Sequence, residues 1–388
     1  MGFWKNYGFS LALLAGLIAG GVCGAIWGEA TIAVRPVGEI FLNVVFVLIV
    51  PLVLFSMSSA TCKLCNSGIA GKLLGSSLGV FLLMSAVAGA LAFVLFMFWN
   101  PFSSANPDAF LADMQTHSEG GGMSLKGAIA GALLPMIAVA MLAGFIVALL
   151  KERGRKIAEF LDNATDLTVR VVRLVMYAAP IGIGCWFAWT VGSLGGSILG
   201  EYADAVVVYL VAALAVYLLV NSGWVVAAGG KGFLGRFWRG MVTPSLTAIA
   251  TASSAVCIHL NMEAAVGMGV RPIVADSVIP LGTNIHKDGS VIGGVVKVVF
   301  LLTVFGAGAP SWGSFFMVVG IGILVGTVMG AVPTGGMTGE LLICSMLGYP
   351  PEIAAVLMVI STLIDIPATL LNSTGNVVAS VVVNRLTQ

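Results

Sequence analysis

Apolar runs long enough to cross a bilayer follow one another along almost the whole chain, and this repetition leaves few folds open. A spanning helix needs roughly 20 predominantly apolar residues. Such runs fall at 8–28, 36–60, 72–99, 126–150, 164–194 and 203–228, and interrupted apolar stretches follow at 233–270, 275–306, 311–348 and 350–383. Of the 388 residues, 59% are hydrophobic and 9% charged, against about 25% charged in a soluble domain. So few charges cannot cover a water-facing surface of this size, so lipid is the expected main solvent. With a net charge of +1, nucleic acid is not an expected partner. The first run has a basic start at Lys5 and no small-residue cleavage site before the next run, which reads as an uncleaved first helix. Cys62 and Cys65 form a CxxC without a second pair or a nearby His, and read as two small residues in a loop rather than a metal site. No stretch suggests a separate soluble domain.

Lys and Arg give the orientation. Lys63 and Lys72, the 151–156 run, Lys231, Arg236, Arg239, Arg271 and Arg385 fall in alternate loops, and the loops between them hold only Arg35 and Lys126. The N-terminus, the 151–156 loop and the C-terminus are therefore expected in the cytoplasm, and the 101–124 loop outside. Region 233–270 enters and leaves on the cytoplasmic side, because Arg239 and Arg271 share a side, and its middle is Thr251-Ala252-Ser253-Ser254-Ala255. Region 311–348 has Val332-Pro333-Thr334-Gly335-Gly336 at its middle and by alternation enters from outside. Two re-entrant hairpins of opposite orientation, each followed by a long helix, make an inverted repeat, which points to a transport site at the membrane midplane. Backbone at a hairpin tip survives there only when buried in protein or lining a wet cavity.

Two segments place costly groups inside the apolar stretches. Residues 280–290 run Pro-Leu-Gly-Thr-Asn-Ile-His-Lys-Asp-Gly-Ser with apolar helix on both sides. An ionised residue at the centre of a span costs about 2.5–3.5 kcal/mol, so this run is expected to be unwound and to face a cavity. In the last helix Asp365, Thr369, Asn372 and Asn376 are spaced four, three and four, which puts them on one face. A carboxylate, a hydroxyl and two amides on one stripe suit the ammonium and carboxylate of a zwitterion. A structural ion pair of Lys287 with Asp288 or Asp365 is the competing reading. Glu340 is either a proton carrier or a helix-pairing acid, and Lys297 either lines the path or pairs within the bundle. His117 and His259 carry no expected role. No nucleophile–base pair or metal cluster stands out, so an enzyme is not expected.

At this point the chain resembles the dicarboxylate/amino acid:cation symporter family, with the glutamate-transporter fold. The likeness lies in Pro-Val-Gly-Glu-Ile-Phe-Leu (36–42), Leu-Ile-Val-Pro-Leu-Val-Leu-Phe-Ser (48–56), the small polar tip from Thr251 to Val256 and Val-Ile-Pro-Leu-Gly (278–282). It continues in His-Lys-Asp-Gly-Ser (286–290), where the family has Asn-Met-Asp-Gly-Thr, in Val-Pro-Thr-Gly-Gly (332–336), and in Asn-Ser-Thr-Gly-Asn (372–376), where the family has Asn-Val-Thr-Gly-Asp. The resemblance implies an all-α polytopic membrane protein of eight transmembrane helices plus the hairpins at 233–270 and 311–348. It implies a scaffold part (about 1–70 and 125–195) and a moving transport part (about 71–100 and 200–388), working as an elevator. It also implies a homotrimer in the lipid bilayer, a small-molecule substrate, no cofactor, and H+ or Na+ as coupling cation. Placement in the inner (plasma) membrane follows. The substrate-binding positions it implies are Ser253, Ser254, Thr334, Gly335, Asp365, Thr369 and Asn372. The coupling positions are Ser85, His286, Lys287, Asp288, Asn376 and Glu340.

The departures bear on what is carried. Ala368 stands where acidic-substrate members have Arg, which favours a small neutral amino acid over a related organic anion unless Lys287 supplies the charge. His286, Lys287 and Asn376 replace the family's Asn, Met and Asp, and Phe81 and Met84 replace an oxygen-bearing Tyr and Thr beside Ser85. Sodium needs oxygen ligands, so the expected reading is that Lys287 replaces one bound cation and that transport is proton-coupled. Ordinary sodium symport remains the alternative, and a passive channel or binding protein on the same fold a further one.

Overall fold

The computed structural model describes residues 2–66, 71–102, 125–305, 308–330 and 337–388, and among these no strand occurs. In lipid the backbone is hydrogen-bonded within helices, except where it is buried in protein or lines a cavity. Its helices are α1 (Gly2–Trp27), α2 (Arg35–Cys65), α3 (Gly71–Phe98), α4 (Leu125–Leu149), α5 (Arg155–Met176), α6 (Ala179–Leu194), α7 (Ile198–Ala215) and α8 (Asn221–Gly229). They continue as α9 (Leu234–Thr251), α10 (Ile258–Gly267), α11 (Pro272–Ile285), α12 (Asp288–Val304), α13 (Phe315–Gly330), α14 (Met337–Leu347) and α15 (Ile353–Leu386). Large apolar side chains such as Ile26, Leu174, Leu219 and Phe316 face outward, as a lipid solvent requires. Six stretches of the described residues are long and apolar enough to cross a bilayer, one of them holding both α1 and α2, and the bent pair α5–α6 makes a seventh.

One expected span is corrected. Residues 164–194 are not a single helix: α5 runs to Met176, and α6 starts at Ala179 at 58° to it. Pro180 lies in the first turn of α6, where its missing N–H costs nothing, and Asp166, Arg170 and Arg173 make α5 a two-faced helix rather than a span.

The helices fall into two packed groups. In the first, α1 crosses α6, and α2 packs on α4, α5 and α6. The α1–α6 contact is made by backbones: a Cβ on Gly16 or Gly20 would lie 2.2 or 2.3 Å from the carbonyl oxygen of Pro180 or Gly184. Small residues at this spacing let membrane helices approach closely. Arg35 lies 4.3 Å from the Trp189 ring and 2.8 Å from Glu39. In the second group α12 packs on α3, α13 and α15, while α15 also receives α9, α10, α11 and α14. Between the groups a cleft of about 470 Å3 opens, with Ser59 and Lys63 on one side and Asp276 and Asn284 on the other.

Both expected hairpins occur as helix pairs. In the first, α9 and α10 are joined at 252–257, where Ala252 takes a left-handed φ of 46°. In the second, α13 and α14 flank residues 331–336, which lie outside the described residues. The second arms have 10 and 11 residues. At 1.5 Å per residue they reach ~15–17 Å, about half of a ~30 Å hydrocarbon layer. Neither arm spans alone.

Candidate functional site

The polar run at 280–290 is broken as expected, over a shorter stretch. Helix α11 ends at Ile285, His286 (φ −123°, ψ 111°) and Lys287 (φ −142°, ψ 80°) are extended, and α12 begins at Asp288. Tyr209 on α7 donates a hydrogen bond to the Gly289 carbonyl (3.1 Å), and Asn372 Oδ1 accepts the Ser290 N–H (3.2 Å). The latter is a first-turn amide with no partner in its own helix. Gly289 lets α12 and α15 touch, since a Cβ there would lie 2.4 Å from the Ala368 carbonyl oxygen.

Two extended residues in succession point to opposite sides, and that alternation sorts the expected coupling residues into two sets. His286 turns inward with Asp288, Asn376 and Ser85, all buried. Its ring stacks on Phe81, with centroids 4.7 Å apart. His286 Nδ1 is 2.9 Å from Asn376 Oδ1, and Nε2 is 3.0 Å from Asp288 Oδ1, misaligned for a hydrogen bond. Asn376 Nδ2 donates to the Asn372 carbonyl (2.8 Å), which leaves Oδ1 as its acceptor and makes His286 Nδ1 the donor. Ser85 Oγ donates to Asp288 Oδ1 at 3.3 Å. Lys287 is half-buried on the other side and has neither a salt bridge nor a hydrogen bond among the described residues. Lys287 and His286, adjacent in the sequence, thus stand in different surroundings.

The last helix presents the expected stripe. Asp365 is exposed, and it too has no salt bridge or hydrogen bond among the described residues. Lys287 and Asp365 each feel the other as their opposite charge. Thr369 is buried one turn further on. Asn372 is engaged on both sides by Ser290, its Nδ2 donating to Ser290 Oγ at 3.1 Å. Ser253 and Ser254 are half-buried at the first hairpin tip. Thr334 and Gly335 lie outside the described residues.

Glu340 stands apart from both sets. Lys297 Nζ lies 2.5 Å from Glu340 Oε1 and 2.8 Å from Ser361 Oγ, and Ser361 Oγ donates to the same carboxylate oxygen at 2.5 Å. This closed network ties α12, α14 and α15 together. The pairing could not be read from spacing, because Glu340 and Ser361 are 43 and 64 residues from Lys297. Two other tethers were missed. One is Tyr209, whose hydroxyl inside an apolar run was the available signal. The other is Asn261, which anchors the first hairpin to the Ser373 carbonyl (3.1 Å) and hydroxyl (2.9 Å).

The described residues hold no group of three or more His, Cys, Asp or Glu able to bind a metal ion. In the His286 set Asn376 Oδ1 accepts from His286 Nδ1, and Asp288 Oδ1 accepts from Ser85 Oγ.

The comparisons with known proteins follow this geometry. The sodium:dicarboxylate symporter family matches residues 9–386. The proton/sodium-glutamate symport protein of Bacillus subtilis (strain 168) is 26% identical over 402 aligned positions, covering 98% of this chain and 93% of that protein. The C4-dicarboxylate transport protein of Caulobacter vibrioides is 26% identical, over 96% of this chain and 93% of its own length. A C4-dicarboxylate transport protein of Bacillus subtilis (strain 168) is 23% identical, over 99% and 94%.

Proposed function

The chain belongs to the sodium:dicarboxylate symporter family, a family of transporters rather than enzymes, and from that premise we propose that it is an ion-driven importer of a small organic solute. In this reading it moves a small neutral amino acid, or a related organic anion, across the inner membrane by an elevator motion. The second helix group and both hairpins form the moving part, the first group forms the scaffold, and three copies assemble. The relatives named for glutamate and C4-dicarboxylate transport support the solute class at its coarsest, a small carboxylate.

The observation that carries the proposal is the break at His286–Lys287. It leaves the Lys287 ammonium without an ion pair or hydrogen bond among the described residues, on a chain whose Asp365 carboxylate is likewise without one. Groups of this kind inside membranes mark solute and ion paths. In this reading coupling is to a proton rather than sodium, supported by the buried imidazole of His286, stacked on Phe81 and beside the Asp288 carboxylate. Sodium coupling is the second reading, and the surviving oxygens of Ser85 and Asp288 favour it.

The test is uptake into proteoliposomes with proton and sodium gradients imposed separately, against amino acids and dicarboxylates. Saturable accumulation driven by the proton gradient alone is expected. Accumulation only with sodium would assign the coupling to the second reading. Flux that follows the solute's own gradient under every condition would make the chain a passive channel.

A further inference from the structure

We propose that the cleft between the two helix groups is a second binding site, and that its ligand is an organic ammonium ion with an apolar body. Lys287, Asp365, Thr369 and Asn372 do not line it. A ligand lodged there touches both groups and fixes them against each other.

The cleft's volume, about 470 Å3, falls within the range of small-molecule sites. Its walls come from α2, α4 and α5 of the first group and from α11 and α13 of the second. Ser56, on the α2 wall, is only 3% exposed, and its hydroxyl has no hydrogen-bond partner. A buried hydroxyl left in that state is costly, and a ligand that bonds it offsets the cost. Met57, Met141 and Leu281 supply an apolar lining beside it.

The hydrogen-bonding inventory of the walls selects the ligand's charge. Asn284 Nδ2 donates to the Pro280 carbonyl (3.0 Å), which leaves its Oδ1 to accept. The hydroxyls of Thr165 and Thr327 donate to the Leu161 and Ile323 carbonyls (2.7 and 2.9 Å), which leaves only their lone pairs. Lys63 also lines the cleft, but Asp162 holds its ammonium at 2.9 Å, and Ser59 donates to the same carboxylate. Asp276 is exposed in the opposite wall, with no ion pair or hydrogen bond among the described residues. The hydroxyls of Ser56, Thr61 and Ser277 serve as donor or acceptor alike. Acceptors and one free carboxylate therefore outnumber the free donors. An ammonium, with N–H donors and a positive charge, answers that pattern. A carboxylate would meet Asp276 and find its cation already engaged.

Phenethylammonium tests this on the purified full chain, with 2-phenylethanol as its neutral counterpart and phenylacetate as its anionic one. By calorimetric titration the ammonium is expected to bind saturably, at least ~10-fold more tightly than either counterpart, the range for one hydrogen bond to a charged group. Asp276→Asn is expected to erase the preference for ammonium over alcohol, and Asp365→Asn to leave it intact. Thermal melting verifies that both variants are folded. In proteoliposomes the ammonium is expected to lower the maximal uptake rate without raising KM, because it holds the two groups rather than taking the solute's place. No saturable binding by the parent, or equal binding of the alcohol, would overturn the site without needing any variant. So would a preference that survives Asp276→Asn, or one lost with Asp365→Asn instead, which would put the ammonium at the last-helix stripe. Binding that leaves uptake unaltered would overturn the bridging role. Absence of any ion-driven uptake would overturn the importer reading alone, and the titration would still decide the cleft.

Discussion

Along one face of α15 the polar residues run Ser361, Asp365, Thr369, Asn372, Asn376, and the two ends of that stripe differ from its middle. At one end Ser361 joins the sealed Lys297–Glu340 pair. At the other, Asn376 holds the His286 ring against Asp288. Between them Asp365 has only Lys287 opposite, out of ion-pair reach. Within a few turns of one helix, charged groups meet an opposite charge within 3.0 Å in two places and have no ion pair in the third. Closed pairs hold helices together. An ammonium and a carboxylate without partners tie no helices together and lose hydration, a cost that a bound solute would offset in the proposed reading.

The hardest test of that contrast compares two lysines. Removing one partner of a buried ion pair strands the other charge and costs about 3–5 kcal/mol. Lys297→Met is therefore expected to lower the thermal melting point strongly, and to regain most of it when combined with Glu340→Leu. Lys287→Met is expected to leave melting unchanged or raise it. Equal losses from the two single variants would show that Lys287 is a structural cation and close the distinction.

What could be read in advance follows the same division. The spans, the two hairpins, the break in 280–290 and the α15 stripe were legible, because each is written in local spacing: apolar length, Pro and Gly at tips, a four-three-four period. The partnerships were not. Only the backbone angles at 286 and 287 separate the surroundings of these two neighbours in sequence. Glu340 gave no sign of choosing Lys297, since the choice depends on how α14 docks. The bend at 177–178 was missed because apolar length alone joins α5 to α6. The signals for the bend are the charges at Asp166, Arg170 and Arg173 and the proline at 180. The residues at the second hairpin tip, Thr334 and Gly335, lie outside the described residues.

A gentler change sharpens the closed end. His286→Asn removes the ring from between Asp288 and Asn376 and returns an amide oxygen to the site. The variant is expected to gain stabilisation by sodium over choline that the parent lacks. Such a gain amounts to about 1.4 kcal/mol when sodium is at ten times its Kd, read as a rise in melting temperature with sodium concentration. A parent protein that already responds to sodium in this assay would show that the imidazole does not block the ion, and the coupling assignment would move to the second reading.

The smallest effect is expected where the same chemistry meets water. His259 and Glu263, one turn apart on α10, stand 3.3 Å apart, close to the 3.0 Å of His286 and Asp288, but with side chains 80% and 63% exposed rather than 1% and 3%. Water already solvates both groups, and salt screens what attraction remains. His259→Gln is expected to leave melting temperature and uptake unchanged. The buried counterpart, Asp288→Asn, by contrast deprives His286 and Ser85 of their shared carboxylate and is expected to impair both. If His259→Gln behaves like Asp288→Asn, the outer face of α10 is not facing water in the working protein. A surface covering the first hairpin, on the scaffold side or from another copy, would then have to be found.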